Sequence, residues 1–480
     1  MTKFFIDQHG CAKNQVDGEL IISRLIETGL EQTLEPSEAD FIIVNSCGFI
    51  ESAKKESLDA VYSARKNYPH AKILLTGCLA ERYAQTLKDA LPEADAIFGN
   101  GNLSKIAETV RNMLAGGRPV EVYAQEGVCA GERNVILSYR GSAFVKITEG
   151  CSNHCSFCAI PVIRGELRSR PADSIIQEMQ SLLARGIVEF NLIGQDLAAY
   201  GTGAADFDAD GRSLVIDGDT AKSALCRLFE KISALDGNFV VRPLYIHPDH
   251  FNTDILDVMK GDSRFLPYFD IPFQSGDDQI IHRMNRRGTF ERYAALVDSI
   301  RRVFPDAALR TTFLTGFPGE TDENAENTVR FLKTIKSDWS GCFPYSREED
   351  TPAYDLKRRV PAKLAKARAD RLCAVQAELT RESLERRVGN EYDVLIEEVV
   401  EGDEGLAIGR AWFQAPDVDG SVVVRYEKDV GTEKDFVLPG RFVRVKILSS
   451  SDVDLDGVFV ADSELNRGVP ASTMRFATDA

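Results

Sequence analysis

Short apolar runs alternate with amphipathic helical stretches over the first quarter of the chain. Residues 3–7, 40–45, 72–76 and 94–98 are strand-like and are followed by helical patterns such as 52–63 and 80–90. Alternation of this kind predicts a parallel sheet covered by helices on both faces. From about residue 142 to 355 the pattern repeats, with strand candidates at 143–147, 189–193, 240–246, 268–271, 309–314 and 341–345. Six such units exceed a short open sheet and fall short of a closed eightfold barrel, so a partial (β/α)6 barrel is the simplest fit. Residues 361–387 form a basic helical pattern, with Lys363, Lys366, Arg368, Arg371, Arg386 and Arg387, that reads as a connector. Beyond it, 392–399, 406–413, 422–426, 442–448 and 458–460 are short β-type runs, about the five strands of a small oligonucleotide-binding-type barrel. The residues from Asn466 on read as a loose tail. The expected fold class is α/β: an N-terminal parallel-sheet domain over 1–125, a central partial barrel over 140–360, the connector 361–387, and a small β-barrel over 388–465.

With 480 residues and 44% hydrophobic content, each of these units can bury a core. No run reaches the roughly 18 consecutive apolar residues of a membrane span. The N-terminal run Met1 to Asp7 leads straight into a strand without a signal-peptide core, so a cytoplasmic protein with no membrane partner is expected. The net charge of −17 weighs against phosphate-driven binding to bare nucleic acid, while leaving room for a strongly basic partner.

Ten cysteines without an export signal read as thiolates kept for metal or redox work. Six of them fall into two triads with opposite spacing. Cys151, Cys155 and Cys158 are tightly spaced, whereas Cys11, Cys47 and Cys78 each follow a strand-like run. Cys129, Cys226, Cys342 and Cys373 lack partners at ligand spacing and read as ordinary small buried residues. A C-x3-C-x2-C loop suits a four-iron cubane whose fourth iron has no protein ligand. A structural zinc site would need a fourth ligand, and His154 lies inside the loop, where it would crowd the same metal. In open parallel sheets, functional groups gather beyond the carboxyl ends of the strands, so the dispersed triad converges on one edge. On spacing alone, unrelated buried thiols remain an alternative for that triad.

The Cys151 loop, with Phe157 before its third cysteine, resembles that of the radical S-adenosylmethionine enzymes. Gly194-Gln195-Asp196 with Tyr200-Gly201, Pro272-Phe273-Gln274-Ser275-Gly276, and Thr315-Gly316-Phe317-Pro318-Gly319-Glu320-Thr321 are similar to segments lining the cofactor pocket in the methylthiotransferase branch. Asn45-Ser46-Cys47-Gly48-Phe49-Ile50, Thr76-Gly77-Cys78 and Gly10-Cys11 resemble that branch's N-terminal domain. The resemblance covers the whole chain and implies a terminal TRAM-like barrel. It also implies two 4Fe-4S clusters, held by Cys151, Cys155 and Cys158 and by Cys11, Cys47 and Cys78, together with S-adenosylmethionine. Phe157, Gly194, Gln195, Asp196, Gln274, Ser275, Gly316 and Glu320 are the implied cofactor-binding positions. In that family one cluster carries the sulfur that a first S-adenosylmethionine methylates. The other generates the radical that removes a hydrogen from an unactivated C–H, so no catalytic His or Glu is nominated.

Two substrate branches compete. One acts on the β-carbon of an aspartate in ribosomal protein S12, free or in the small subunit, and the other on isopentenyladenosine in tRNA. Residues 44–50, 53–57 and 164–171, and Asp196 after Gln195, resemble the ribosomal-protein branch, whereas Gln274-Ser275-Gly276 is more similar to the tRNA branch. Residues 388–460 carry 16 acidic against 7 basic side chains, a poor surface for RNA and a plausible one for a basic ribosomal protein. A low-potential electron donor such as flavodoxin or ferredoxin is the other implied partner. Residues 201–223, rich in Gly, Asp and Ala, read as an insertion. Asp206-x-Asp208-x-Asp210-Gly211 within it imitates the start of a calcium loop but reads as a solvated surface loop. Arg283, Arg286 and Arg287 and the basic connector read as solvated faces.

Overall fold

A computed structural model describes residues 1–480 except 401, 403, 404, 428–435, 471, 473 and 477–480. Its N-terminal sheet is fully parallel and six-stranded, in the order Glu31–Gln32, Lys3–Gln8, Phe41–Ser46, Lys72–Gly77, Ala96–Phe98, Val120–Glu121. The two edge strands are only two residues long, too short for a period-2 pattern to show in the sequence. The central strands carry the apolar runs expected of a sheet buried on both faces. Phe41, Ile43, Val44, Ile73, Leu74 and Leu75 are all fully buried. Register is what matters for function. Gln8 pairs with Asn45, Asn45 with Thr76, and Ser46 with Gly77, so the strands that precede the three dispersed cysteines end level with one another.

The central unit places six parallel strands in chain order. Ser142–Lys146, Glu189–Ile193 and Val240–Pro243 form one half, and Tyr268–Asp270, Ala308–Thr315 and Trp339–Pro344 the other. The bonds Leu266 N–H to Val241 O (2.9 Å) and Ile246 N–H to Asp270 O (2.9 Å) join the halves into a partial barrel. The 24-residue helix Ala362–Glu385 packs along the last strand, where Gln376 bonds the carbonyls of Ser337 (2.9 Å) and Asp338 (3.1 Å). It is therefore part of the barrel wall. Lys363, Lys366 and Arg371 are exposed as expected, but Arg368 pairs with Glu320 at 2.7 Å and Arg387 lies buried over Trp412 and Phe413.

A closed five-stranded barrel follows, in the order Glu391–Val399, Leu406–Ala411, Val422–Arg425, Leu455–Asp462, Phe442–Ser450. It sits against the amino ends of the central strands. Glu189 is held between Arg242 (2.6 Å) and Arg410 (2.7 Å), Trp339 Nε1–H donates to the Phe413 carbonyl, and Tyr268 donates to Asp419.

Three sequence expectations are corrected. The stretch after Asn466 is not a loose tail: Arg475–Phe476 pairs in parallel with Val135–Ile136, and Met474 and Phe476 are buried. Residues 471, 473 and 477–480 of that expectation lie outside the described residues. Within the 201–223 loop, Asp206 is buried and accepts the N–H groups of Ser169 and Gly203, so its oxygens serve the backbone. Of the four cysteines left over, Cys226 is buried, Cys129 and Cys342 are half-buried, and Cys373 is exposed. Among the described residues no helix is long and apolar enough to cross a membrane.

Arg410 also pairs with Glu397, so Arg410→Leu leaves two buried carboxylates short of their cation. Breaking a buried pair from one side costs about 3–5 kcal/mol. The chain's two tryptophans, Trp339 and Trp412, both lie at this interface. The variant is expected to lower the urea midpoint of the tryptophan fluorescence transition; an unchanged midpoint would show that the contact does not hold the two barrels together.

Two candidate metal centres at a domain interface

Cys11 is the N-cap of helix Ala12–Glu27, Cys47 follows strand Phe41–Ser46, and Cys78 opens helix Cys78–Ala90. The three loops touch. A Cβ on Gly10 would meet Cys47 Cβ at 3.2 Å, and one on Gly48 would meet the Cys78 carbonyl at 2.7 Å, so glycine is required where the loops cross. Burial, with Cys78 and Cys11 close by, pushes the Cys47 thiol up to about 12. Burial also raises Cys78, against the opposing pull of Arg164. Cys11, although exposed as a residue, is partly desolvated by its surroundings, but Lys13 and Arg164 outweigh this and hold its thiol below the ordinary value. Two thiols raised by burial and by neighbouring thiols, and a third held low by neighbouring cations, form a donor set suited to a shared metal.

The tight triad follows strand Ser142–Lys146 and the short strand Thr148–Glu149. Its loop is fixed by backbone bonds: Cys151 N–H to Gly165 O (3.0 Å), Cys158 N–H to Cys155 O (3.0 Å) and Ser156 N–H to Met284 O (3.0 Å). Burial pushes the Cys151 thiol up to about 12, and it raises Cys158 as well, reinforced by Cys155. His154 has left-handed backbone (φ 48°), and its imidazole lies outside, 3.5 Å from Glu166. His247 instead approaches Cys155 Sγ, with Nε2 at 3.7 Å. Its Nδ1 accepts the Asp249 N–H at 3.2 Å, and burial together with Arg286 pushes it down to about 3. A neutral imidazole with Nδ1 accepting carries its proton on Nε2, so His247 donates to the sulfur.

Cys151, Asn153, Asp196, His247, His250 and Arg286 line a cavity of about 390 Å³. Asp196 accepts from Asn153 (2.9 Å), His250 (2.8 Å) and the N–H groups of His247 (3.1 Å) and Ala198 (3.0 Å). Burial opposes its charge, but His250 leads the groups that hold it below the usual carboxylate range. Asp196, His247 and His250 are the group of three ligating side chains, among the described residues, whose donor atoms all lie within 4.8 Å. With four bonds the Asp196 carboxylate has no lone pair to spare for an ion. Among the described residues neither cysteine triad meets that limit, whereas thiolates on one zinc ion, with Zn–S about 2.3 Å, would sit about 3.8 Å apart.

The other positions implied for the cofactor divide into two sets. Gln195 and Gln274 each keep a buried side-chain oxygen without a partner among the described residues, beyond the ends of strands Glu189–Ile193 and Tyr268–Asp270. Gln274 also has left-handed backbone, φ 69°. Orphaned buried oxygens at that edge fit a polar ligand bearing N–H or O–H donors. Gly194 gives its carbonyl to Lys13 Nζ at 2.8 Å, and Phe157 is half-buried, 5.8 Å from the Arg286 guanidinium. Ser275 and Glu320, in contrast, serve the scaffold. Ser275 bonds Thr328 and the Asp277 N–H, while Glu320 accepts the Gly316 N–H (3.0 Å) and pairs with Arg368. Gly316 lines a separate small cavity of about 140 Å³.

Several residues escape the sequence reading. Arg286 is buried and bonds the carbonyls of Pro272 and Phe273, so it is not part of a solvated face; Arg283 and Arg287 are exposed. Between the two triads lies a buried ion cluster. Lys146 bonds Asp17 (2.6 Å) and Glu149 (2.7 Å), and Arg164 bonds Asp17 (2.9 Å) and Glu149 (2.9 Å), with Arg164 Nη2 also 3.3 Å from Cys78 Sγ. Farther out, Lys54 and Arg82 of the N-terminal domain share Glu348 of the central one.

Comparison with known proteins finds three family models along the chain. Residues 3–99 match the uncharacterized protein family UPF0004, 145–332 the radical SAM superfamily, and 388–460 the TRAM domain. The ribosomal protein uS12 methylthiotransferase RimO of Treponema denticola is 49% identical over 474 residues, covering 95% of this chain and 100% of that one. The protein of the same name from Sorangium cellulosum is 36% identical, covering 96% and 91%, and that from Thermotoga maritima 37% identical, covering 89% and 95%. Among solved structures, the radical S-adenosylmethionine methyltransferase TsrM from Kitasatospora setae, with cobalamin and a [4Fe-4S] cluster bound, shares the fold. Its TM-score is 0.52 at 14% identity, over 74% of this chain and 77% of that one. These relatives favour the ribosomal-protein branch over the tRNA branch that Gln274-Ser275-Gly276 resembled. On sequence identity across nearly its whole length, the chain belongs to the uS12 methylthiotransferase family of radical S-adenosylmethionine enzymes.

Proposed function

We propose that this protein methylthiolates the β-carbon of an aspartate in ribosomal protein uS12, in the cytoplasm, using two 4Fe-4S clusters and S-adenosylmethionine, with a flavodoxin- or ferredoxin-like electron donor. The observation that carries the reading is the convergence of two three-thiol sets on one domain interface: three loops bring Cys11, Cys47 and Cys78 together, one loop carries Cys151, Cys155 and Cys158, and Cys78 packs on Ala159 just after Cys158. Three thiolates leave one iron of a cubane open to a small molecule, which a four-cysteine electron carrier does not. When bound, the clusters and S-adenosylmethionine supply reductive cleavage of the sulfonium, an abstracting radical and a transferable sulfur.

The chain's own residues do the holding. Cys151, Cys155 and Cys158 would ligate one cluster, and Cys11, Cys47 and Cys78 the other. Gln195 and Gln274 offer their unpartnered oxygens at the cofactor edge, beside Gly194 and Phe157. Asp196, held charged by His250, and Arg286 place one negative and one positive group at the wall of the cavity that opens beside Cys151. Ser275, Gly316 and Glu320 act through the framework, by bracing the loops after strands Tyr268–Asp270 and Ala308–Thr315. No side chain has to take a proton from the substrate carbon.

After anaerobic reconstitution, replacing Cys151, Cys155 and Cys158 with Ala is expected to remove about half of the bound iron and to abolish 5'-deoxyadenosine formation with dithionite. Replacing Cys11, Cys47 and Cys78 is expected to remove the other half while leaving 5'-deoxyadenosine formation in place. Full iron in either variant would end the two-cluster reading. For the substrate, mass spectrometry of uS12 and of tRNA nucleosides from a deletion strain is the deciding measurement. Loss of the methylthio group from uS12 is expected; loss from tRNA alone would reassign the enzyme.

A further inference from the structure

The cysteine that closes the tight triad and the arginine that touches the dispersed triad lie six positions apart, on one rigid element. Helix Ile160–Arg164 starts two residues after Cys158, and its last residue, Arg164, extends Nη2 to within 3.3 Å of Cys78 Sγ. Cys78, Ala159 and Ile163 pack as one small buried cluster, so the helix lies directly on the N-terminal domain. The arginine is 3% exposed, and its Nη1 is committed to Asp17 and Glu149, both at 2.9 Å. The end of the helix is held from outside as well, where Gln125 bonds the Ile163 carbonyl (2.7 Å) and Glu81 (3.2 Å). One face of the guanidinium is thus locked by carboxylates and the other is aimed at sulfur. The sulfur in question is a free thiol here and becomes a coordinated thiolate when a cluster is held.

Resting on the two-cluster reading above, we infer that Arg164 is a positioning residue for the N-terminal cluster. It gives the Cys78 thiolate an N–H···S hydrogen bond from across the domain interface, and so sets both the reduction potential of that cluster and how tightly it is held. A donor and a positive charge at a cluster sulfur favour the more negative, reduced state and so raise the potential. Lys146 provides the contrast. It bonds the same two carboxylates, Asp17 and Glu149, and none of its bonds is to a cysteine. A purely structural role for the ion cluster would make the two cations equivalent.

The test uses the full-length chain with Cys151, Cys155 and Cys158 replaced by Ala, reconstituted anaerobically so that only the N-terminal cluster forms. R164Q, R164K and K146M are added singly. Two readouts are taken: the midpoint potential from a redox titration followed by electron paramagnetic resonance, and the rate of iron release to a chelator. R164Q is expected to lower the midpoint and to speed iron release by roughly tenfold or more, the usual range for losing an outer-sphere partner. R164K keeps a cation for Asp17 and Glu149 but loses the guanidinium fork, so it should shift both readouts the same way and by less. K146M should leave both near the parent values. The inference is overturned if R164Q and R164K match the parent, or if K146M shifts the readouts as far as R164Q does. Should R164Q fail to fold, R164K set against K146M makes the same distinction. If the parent triple variant binds no iron, the two-cluster reading falls and this inference falls with it.

Discussion

Four buried charges fasten this molecule at its centre. Asp17 comes from the first helix, Lys146 and Glu149 from the first strand pair of the barrel, and Arg164 from the helix after the cysteine loop. Each cation bonds both carboxylates. Burial disfavours the ionised forms of both Glu149 and Lys146, yet Arg164 and Lys146 hold Glu149 far below the usual carboxylate range, and Asp17 and Glu149 raise Lys146 above its ordinary value. Such an arrangement adds little net stability over an apolar contact, but it tolerates few alternatives, because a shift of one residue would strand a charge without a partner. Here it fixes one docking geometry between the domain that carries three cysteines and the barrel that carries the other three.

The opposite end of the barrel is closed by the same kind of contact. Glu189 between Arg242 and Arg410, and Asp419 beside Tyr268 and Arg310, join the amino ends of the strands to the small C-terminal barrel. Burial raises the Asp419 carboxyl to about 6 even with Arg310 close by. With that end covered, the cavity beside Cys151 opens on the carboxyl side of the strands, where the N-terminal domain also docks.

Much of this was legible in the sequence because both triads follow strands, and strands announce themselves by apolar runs and by what terminates them. Cys11, Cys47 and Cys78 fall on one edge because a parallel sheet keeps its carboxyl ends together. Arg164 could be quoted only as part of a resemblance. Its partners Glu149, Cys78 and Asp17 lie 15, 86 and 147 positions away, and buried pairings at such separations leave no local periodicity. His247 is the same case, 92 positions from Cys155, whereas Arg286, which the sequence places on a solvated face, turns inward to carbonyls 13 and 14 positions back that no side-chain pattern marks. Ser275 and Glu320 show a further limit, since the motifs that hold them do not announce that their side chains bond the loops' own backbone.

The pairing of Arg475–Phe476 with Val135–Ile136 has a consequence for how the chain is made. Val135 and Ile136 belong to the passage between the N-terminal domain and the barrel, and their strand partner is more than 300 positions farther on. Closing so large a loop comes late, because its entropy must be offset by contacts that form elsewhere first. While the chain emerges from the ribosome, the N-terminal domain can gather its three cysteines early, yet this passage stays open along one edge until residue 476 has been synthesised. The segment that joins the two cysteine-bearing units thus gains its strand partner only from residues that follow both of those units and the small barrel in the chain.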